Sequence, residues 1–297
     1  MRNGTSLLAR CNRKHWVWPA MFSVVAFAAN SIFCRLALMN GDVDPGTFTT
    51  IRLVSGGLFL LLLIKLRRPA RPLGGSWKGG ISLFVYAYLF SIAYIQLGAG
   101  VGALILFGSV QIAMFAFAWV QGERFQAQVL LGMLMAFAGL VALLLPGAQA
   151  PPLVSALVMI VSGVAWGAYS LIGRGSVNPL ADTAGNFIRS WPLVLFMGLI
   201  LSVVGQLYTS LEGSLYALGS GVLASGAGYA VWYGVVKQIS AQQAATLQLS
   251  VPILAALGGV LLLSEPMSMR LIITSGVVLS GVAIALMAPR LRPDRAR

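Results

Sequence analysis

The stretch Ala165–Arg174, AWGAYSLIGR, repeats one lying 139 residues earlier, AFAANSIFCR at Ala26–Arg35. The two agree at Ala26 and Ala165, Ala29 and Ala168, Ser31 and Ser170, and Arg35 and Arg174. Phe27 stands opposite Trp166, and Asn30 opposite Tyr169. Four matches in ten residues are thin, but other registers follow. Ile51-Arg52 matches Ile188-Arg189 at a separation of 137. Ala99 and Ala103 match Ala241 and Ala245, Glu123 matches Glu265, and Gly139 matches Gly281, all at 142. An offset that drifts by so little over half the chain marks a duplication.

Composition says what solvent the duplicated unit is built for. Hydrophobic residues make up 58% of the 297-residue chain and charged ones 9%, where soluble domains carry roughly 25% charged residues. Most of this chain is therefore read as lipid-embedded. Apolar runs fall at roughly 16–39, 46–65, 79–97, 100–120, 127–146, 153–173, 185–207, 214–237, 241–263 and 268–288, each near the ~20 residues that a helix needs to cross a bilayer. Arg13 and Lys14 ahead of the first run would suit a cleaved leader. That run continues past Ala28 into the repeated segment, however, and is read as a span.

With ten spans, sixteen of the cations fall on one side. They occupy the N-terminal flank, the even-numbered connections and the tail from Arg290 to Arg297; Arg270 is alone in the opposite loops. The positive-inside rule then places both termini in the cytoplasm. The same distribution argues against nucleic-acid binding, because the basic residues punctuate apolar runs and do not line a soluble face. Cys11 and Cys34 suggest neither a disulfide nor a metal site, and the single His15 reads as an interfacial side chain. No cofactor is expected.

The expected architecture is an all-α polytopic membrane protein with ten transmembrane helices in two inverted five-helix repeats. The divisions are a cytoplasmic flank at 1–15, a first repeat at 16–146, a second at 153–288 and a basic tail at 289–297. Halves with an odd number of spans must enter the membrane from opposite sides, which is the plan of secondary transporters.

The chain resembles the drug/metabolite transporter superfamily of the EamA type. The resemblance is carried by the two five-span repeats, each with a fourth helix closing on Glu, and by AQQAATLQLSVPILAALGGVLLLSEP at Ala241–Pro266, where Pro252 stands thirteen residues before Glu265. The first repeat keeps Glu123 but has Val110 where a proline is expected. Among members, the aromatic-rich helices look most like the YddG-type exporters of aromatic amino acids. The resemblance implies alternating-access export across a bacterial inner membrane.

Candidate site residues come from side chains that lipid cannot satisfy. Tyr86, Phe90 and Tyr94 recur every four residues on one helical face. Tyr229, Trp232 and Tyr233 do so in the eighth span, with Gly226 and Gly228 one turn earlier, and Trp166 and Tyr169 are neighbours in the sixth. Asn30 and Gln248 are the best-placed amides for a wet cavity. Such faces pack as core or, if they converge, hold a flat ring or an ammonium group. Arg35, Arg52, Arg174 and Arg189 lie within or at the margins of spans; they snorkel to the interface, or gate the mouths and attract a substrate carboxylate.

All seven acidic residues fall in connections, helix ends or the tail, so no mid-membrane carboxylate relay is visible. The parts of an intramembrane enzyme are likewise missing. Pro19, Pro192 and Pro252 are expected to kink their spans, with Pro252, Gly226 and Gly228 as hinges. Gly132-xxx-Ala136, Gly139 and Gly276-xxx-Ser280 predict close packing of spans five and ten, in a monomer or weak homodimer. The functions in play are export of amino acids with a preference for aromatic or hydrophobic ones, efflux of flat organic cations, and a receptor or structural role without transport.

Overall fold

Each apolar run holds helix. The computed structural model describes residues 16–66, 72–122, 125–173, 176–205, 207–236, 238 and 247–287, apart from the side chains at 233 and 236. The helices are α1 (Val17–Met39), α2 (Pro45–Leu66), α3 (Trp77–Tyr94), α4 (Ala99–Val120), α5 (Ala127–Leu144), α6 (Leu153–Gly173) and α7 (Pro179–Val204). A continuous rod follows, made of α8 (Leu211–Leu218), a π-helical segment (Gly219–Ala227) and α9 (Gly228–Val236), and then come α10 (Ser250–Leu263) and α11 (Met269–Met287). Seven of them, α1, α2, α4, α5, α6, α7 and α11, are long and apolar enough to cross a membrane; α10 is apolar but shorter. Among the described residues the one β contact is an isolated bridge between Val43 and Thr209.

Polar side chains set several helix starts. Ser76, Asn178 and Ser210 accept from the backbone N–H three residues on, filling donors that a helix N-terminus leaves open. Asn178 therefore starts α7 at Pro179, six residues before the apolar run begins. Pro19 is third in its helix, in the first turn, where the missing N–H has no partner to lose. Pro252 is third in α10. Only Pro192 is interior. Near Pro252 the irregularity lies on its N-terminal side, at Leu249, between helical residues 247–248 and α10.

The packing repeats what the sequence registers announce. Equating α1 with α6, α2 with α7, α3 with the rod, α4 with α10 and α5 with α11, contacts come in matched pairs. The α3–α6 contact has its counterpart in the rod on α1, α4–α6 in α10–α1, and α3–α7 in the rod on α2. Three contacts, α2–α7, α4–α10 and α5–α11, join equivalent helices to each other, as elements astride a pseudo-twofold axis do. All three are antiparallel. On α5 and α11, Gly132 lies against Gly281 and Ala285, and Gly139 against Val278. On α2 and α7, Gly46 lies against Leu201, the Trp191 indole donates to the Leu53 carbonyl at 3.3 Å, and Gly56 meets Phe187.

Glycine is required where backbones touch. A Cβ on Gly281 would lie 2.5 Å from the Gly132 carbonyl oxygen and 2.6 Å from the Ala136 nitrogen. In lipid, which offers no hydrophobic drive between helices, such small-residue contacts are what hold a pair together. Gly276 takes no part, contrary to the expected Gly276-xxx-Ser280 contact: nothing lies within 4 Å of the position its Cβ would take.

The halves are also tied at both ends of the bundle by related devices. Asp44, just ahead of α2, accepts from the Thr47 N–H at 2.9 Å and from the Tyr208 N–H, ahead of α8, at 3.1 Å. Asp182, at the start of α7, accepts from the Gly75 N–H at 2.8 Å, and the Ser176 hydroxyl donates to its other oxygen. Asn186 accepts from the Ser76 N–H at 2.8 Å, and Arg189 donates to the Gly74 carbonyl at 2.6 Å. Each half thus grips, with its second helix, the loop before the other half's third.

Candidate functional site

A cavity opens between the halves. α1 contributes Phe27, Asn30 and Ser31; α3 contributes Tyr86 and Phe90; α4 contributes Leu106 and Phe107. From the second half come Trp166 on α6, Ala224 in the π segment, Tyr229 on α9 and Gln248 just before α10. Its free volume is about 30 Å³; a single water needs roughly 10–15 Å³ on that measure. The rings are closed on one another, so anything larger than a few waters must part them.

Trp166 is the hub of this closure. Its ring lies 4.6 Å from Tyr86, 5.2 Å from Tyr169 in a stack, and 5.5 Å from Tyr229. The smaller Phe27, its counterpart in the first half, contacts Tyr229 and Trp232 edge-on, both at 5.7 Å. Each half thus offers one aromatic residue to the third helix of the other, and the indole's extra reach spans both.

One polar network runs along the wall. Arg52 is 1% exposed and does not snorkel. Its Nε donates to Ser225 at 3.2 Å and its Nη2 to the Tyr86 hydroxyl at 3.0 Å. Its guanidinium carbon sits 5.2 Å from the ring centres of both Tyr86 and Phe90, within the roughly 6 Å of a cation–π contact. Nη1 is buried with no hydrogen-bond partner. Asn30 also donates to the Tyr86 hydroxyl, at 3.4 Å, while accepting from Ser220 at 2.6 Å. Ser220 and Ser225 both come from the π segment. A π turn holds its ladder with i→i+5 bonds and is frequent at functional sites; here it supplies two hydroxyls to α1 and α2. Gly221, whose Cβ would lie 2.5 Å from the Arg52 carbonyl oxygen, permits the close approach that lets Arg52 reach Ser225.

At one end of the bundle, a second cluster closes off the first, third, fourth and tenth helices. Arg35 pairs with Glu265 at 3.1 Å and donates to the carbonyls of Tyr94 at 3.0 Å and Ile95 at 2.8 Å. The other Glu265 oxygen accepts from the Ala99 N–H at 2.8 Å, filling an open donor at the start of α4. Glu265 thus joins the end of α1 to the α3–α4 turn.

Six of the ten candidate cavity residues line the cavity: Asn30, Tyr86, Phe90, Trp166, Tyr229 and Gln248. Tyr169 stacks behind Trp166, and Trp232 packs on Phe27. Tyr94 lies behind Phe90 at 4.6 Å, its hydroxyl donating to the Ala99 carbonyl at 3.2 Å. Of the gating candidates, Arg35 and Arg189 hold loops, whereas Arg52 is inside the bundle. Gly226 lies in the π segment and Gly228 directly after it. The Tyr233 side chain, Arg174 and Glu123 lie outside the described residues. Sequence reasoning missed Phe27, Leu106, Phe107, Ser220 and Ser225. Only the register that set Phe27 opposite Trp166 singled out any of these.

A lipid-embedded helical bundle of two related halves enclosing a largely aromatic cavity with a few polar groups has the form of a membrane transporter. The profile of the EamA-like transporter family matches residues 14–145 and again 153–287. The chain belongs to the EamA-like transporter family. It is 52% identical to an uncharacterized protein of Pseudomonas aeruginosa over 272 residues, covering 91% of this chain and 94% of that one. It is also 29% identical to an uncharacterized transporter of Archaeoglobus fulgidus, covering 92% and 99% of the two chains. The Bacillus subtilis transporter YwfM is 25% identical, with 92% and 95% covered. A protein solved by crystallography shares the fold, with a TM-score of 0.66 at 20% identity, covering 94% of this chain and all of that one.

Proposed function

We propose that this transporter exports amino acids, favouring aromatic or hydrophobic ones, by alternating access across a bacterial inner membrane. In this reading all ten helical runs span, both termini are cytoplasmic, the working unit is a monomer or weak homodimer, and the relatives in function are the YddG-type exporters. The observation that carries it is the cavity itself. Its walls are shared between the halves, six of its residues are aromatic, and Asn30, Ser31 and Gln248 supply polar contacts. Rings from both halves meet at Trp166, so a rocking motion that separates the halves makes room for a flat side chain between stacking partners. The antiparallel pairing of equivalent helices supports the inverted topology on which alternating access rests.

Efflux of flat organic cations uses the same aromatic walls, but among the described residues no acidic side chain lines this cavity, and the charge beside it is the positive Arg52. Counterflow in proteoliposomes tests the proposal. Vesicles loaded with phenylalanine or tryptophan take up the labelled amino acid in exchange, and organic cations do not compete. Absence of counterflow with every amino acid, under conditions where the protein remains folded, would refute it.

A further inference from the structure

We infer that Arg52 and Tyr86 form an anion-binding end of the cavity, which takes the carboxylate of the transported solute. The inference rests on the reading of the cavity as the transport site and specifies which part of the solute lies where.

Arg52 keeps its charge in any protein setting. A buried charge is tolerated when paired or fully hydrogen-bonded, yet the one ion pair among the described residues is Arg35 with Glu265, at the end of the bundle. Arg52 instead has a hydroxyl on each of two nitrogens, two aromatic faces beneath it, and one nitrogen, Nη1, buried without a partner. An arginine inside a membrane bundle, with donors to spare and no acid paired to it among the described residues, is short of an anion.

The hydrogen bonds around it show how that deficit reaches the cavity. The Tyr86 oxygen accepts from Arg52 and from Asn30, so both of its lone pairs are engaged and it can take part further only as a donor. Asn30 is itself fixed in that sense, with its oxygen accepting from Ser220. Two donors, Asn30 Nδ2 and Arg52 Nη2, therefore point at the Tyr86 oxygen, and Ser220 holds the amide that supplies one of them. Tyr86 lines the cavity. Its own proton, polarised by the guanidinium, is the donor offered to a ligand, and a carboxylate accepting it gains the field of Arg52 as well. The aromatic part of the solute then extends towards Trp166 and Tyr229, on the opposite half.

Titration calorimetry on the purified full-length chain with three ligands sharing one ring tests this: phenylalanine, 3-phenylpropionate and phenethylamine. The two carboxylates are expected to bind at least about tenfold more tightly than the amine, the scale of one charge-assisted hydrogen bond. Tyr86→Phe keeps the ring, and is expected to weaken both carboxylates by a similar factor and leave phenethylamine unchanged. Equal or tighter binding of phenethylamine, or equal weakening of all three ligands by Tyr86→Phe, would overturn the anion site while leaving the cavity as a solute site. Displacement of 3-phenylpropionate by chloride or inorganic phosphate, at concentrations where gluconate has no effect, would assign Arg52 to an inorganic anion and overturn the carboxylate. No binding by any of the three would remove the transport-site reading itself.

Discussion

Glu265→Gln separates the charge of the Arg35–Glu265 pair from its shape. The amide oxygen of glutamine can still accept from the Ala99 N–H, now bonded at 2.8 Å. The other arm then turns an NH₂ group towards Arg35 Nε, where a carboxylate oxygen stood at 3.1 Å, so a donor faces a donor. Loss of a hydrogen bond between charged groups is worth about 1.5–3 kcal/mol. Both side chains are 17% exposed, which puts the effect at the lower end, about 1.5 kcal/mol, or about tenfold in the equilibrium between the closed and opened end. Cys34 provides the assay, being fully buried and next to Arg35. In a Cys11→Ser background, the rate at which N-ethylmaleimide labels Cys34 follows the population in which this end is open. Glu265→Gln is expected to raise that rate about tenfold, and Arg35→Gln on top of it to raise it further, because Arg35 also holds the Tyr94 and Ile95 carbonyls. A labelling rate unchanged by Glu265→Gln in a folded protein would show that the pair does not hold this end shut.

Three further outcomes follow from the packing. Gly281→Ala places a Cβ 2.5 Å from the Gly132 carbonyl oxygen, against backbone that cannot swing aside, and is expected to cost about 1–3 kcal/mol; Gly276→Ala, with nothing within 4 Å, is expected to be neutral. Thermal unfolding of the two variants in detergent checks the contrast. Trp166→Ala removes ring contacts to Tyr86 and Tyr229 worth about 0.5–1.5 kcal/mol each. It should slow amino-acid counterflow about tenfold, with Trp166→Phe in between. Asp182→Ala leaves the Gly75 N–H without its acceptor and is expected to lower thermal stability by a degree comparable to Asp44→Ala, since the two hold equivalent loops.

Periodicity and repeat registers were enough to show where the helices are and that the halves correspond, because each apolar face leaves a local trace in the sequence. Tyr86, Phe90, Trp166 and Tyr229 were legible for the same reason: aromatic residues at helical spacing inside an apolar run share a face whatever that face meets. Arg52 was not legible. Eight residues into α2, an arginine that snorkels and one that turns inward look alike. What decides between them is Tyr86 on α3 and Ser225 on the rod, residues far off in the chain. The π segment escaped as well: its glycines and serines read as an ordinary small-residue run, and the contact of Gly221 with the backbone of α2 is one between residues far apart in the chain. Phe27, Leu106 and Phe107 gave little signal because an apolar residue in an apolar run reads the same whether it faces lipid, a neighbour or a cavity.

The three antiparallel pairs bear on how much the chain depends on being one chain. α2 on α7, α4 on α10 and α5 on α11 each join a helix to its equivalent, and the last pair meets backbone to backbone. The covalent link between the halves is the short stretch from Leu145 to Pro152, and even there Arg270 of the second half donates to the Leu145 carbonyl at 2.7 Å. Adhesion between the halves is thus written into their surfaces. Residues 1–146 and 153–297, made from two separate genes in one cell, should find each other in the membrane and rebuild the transporter without the peptide bond between them.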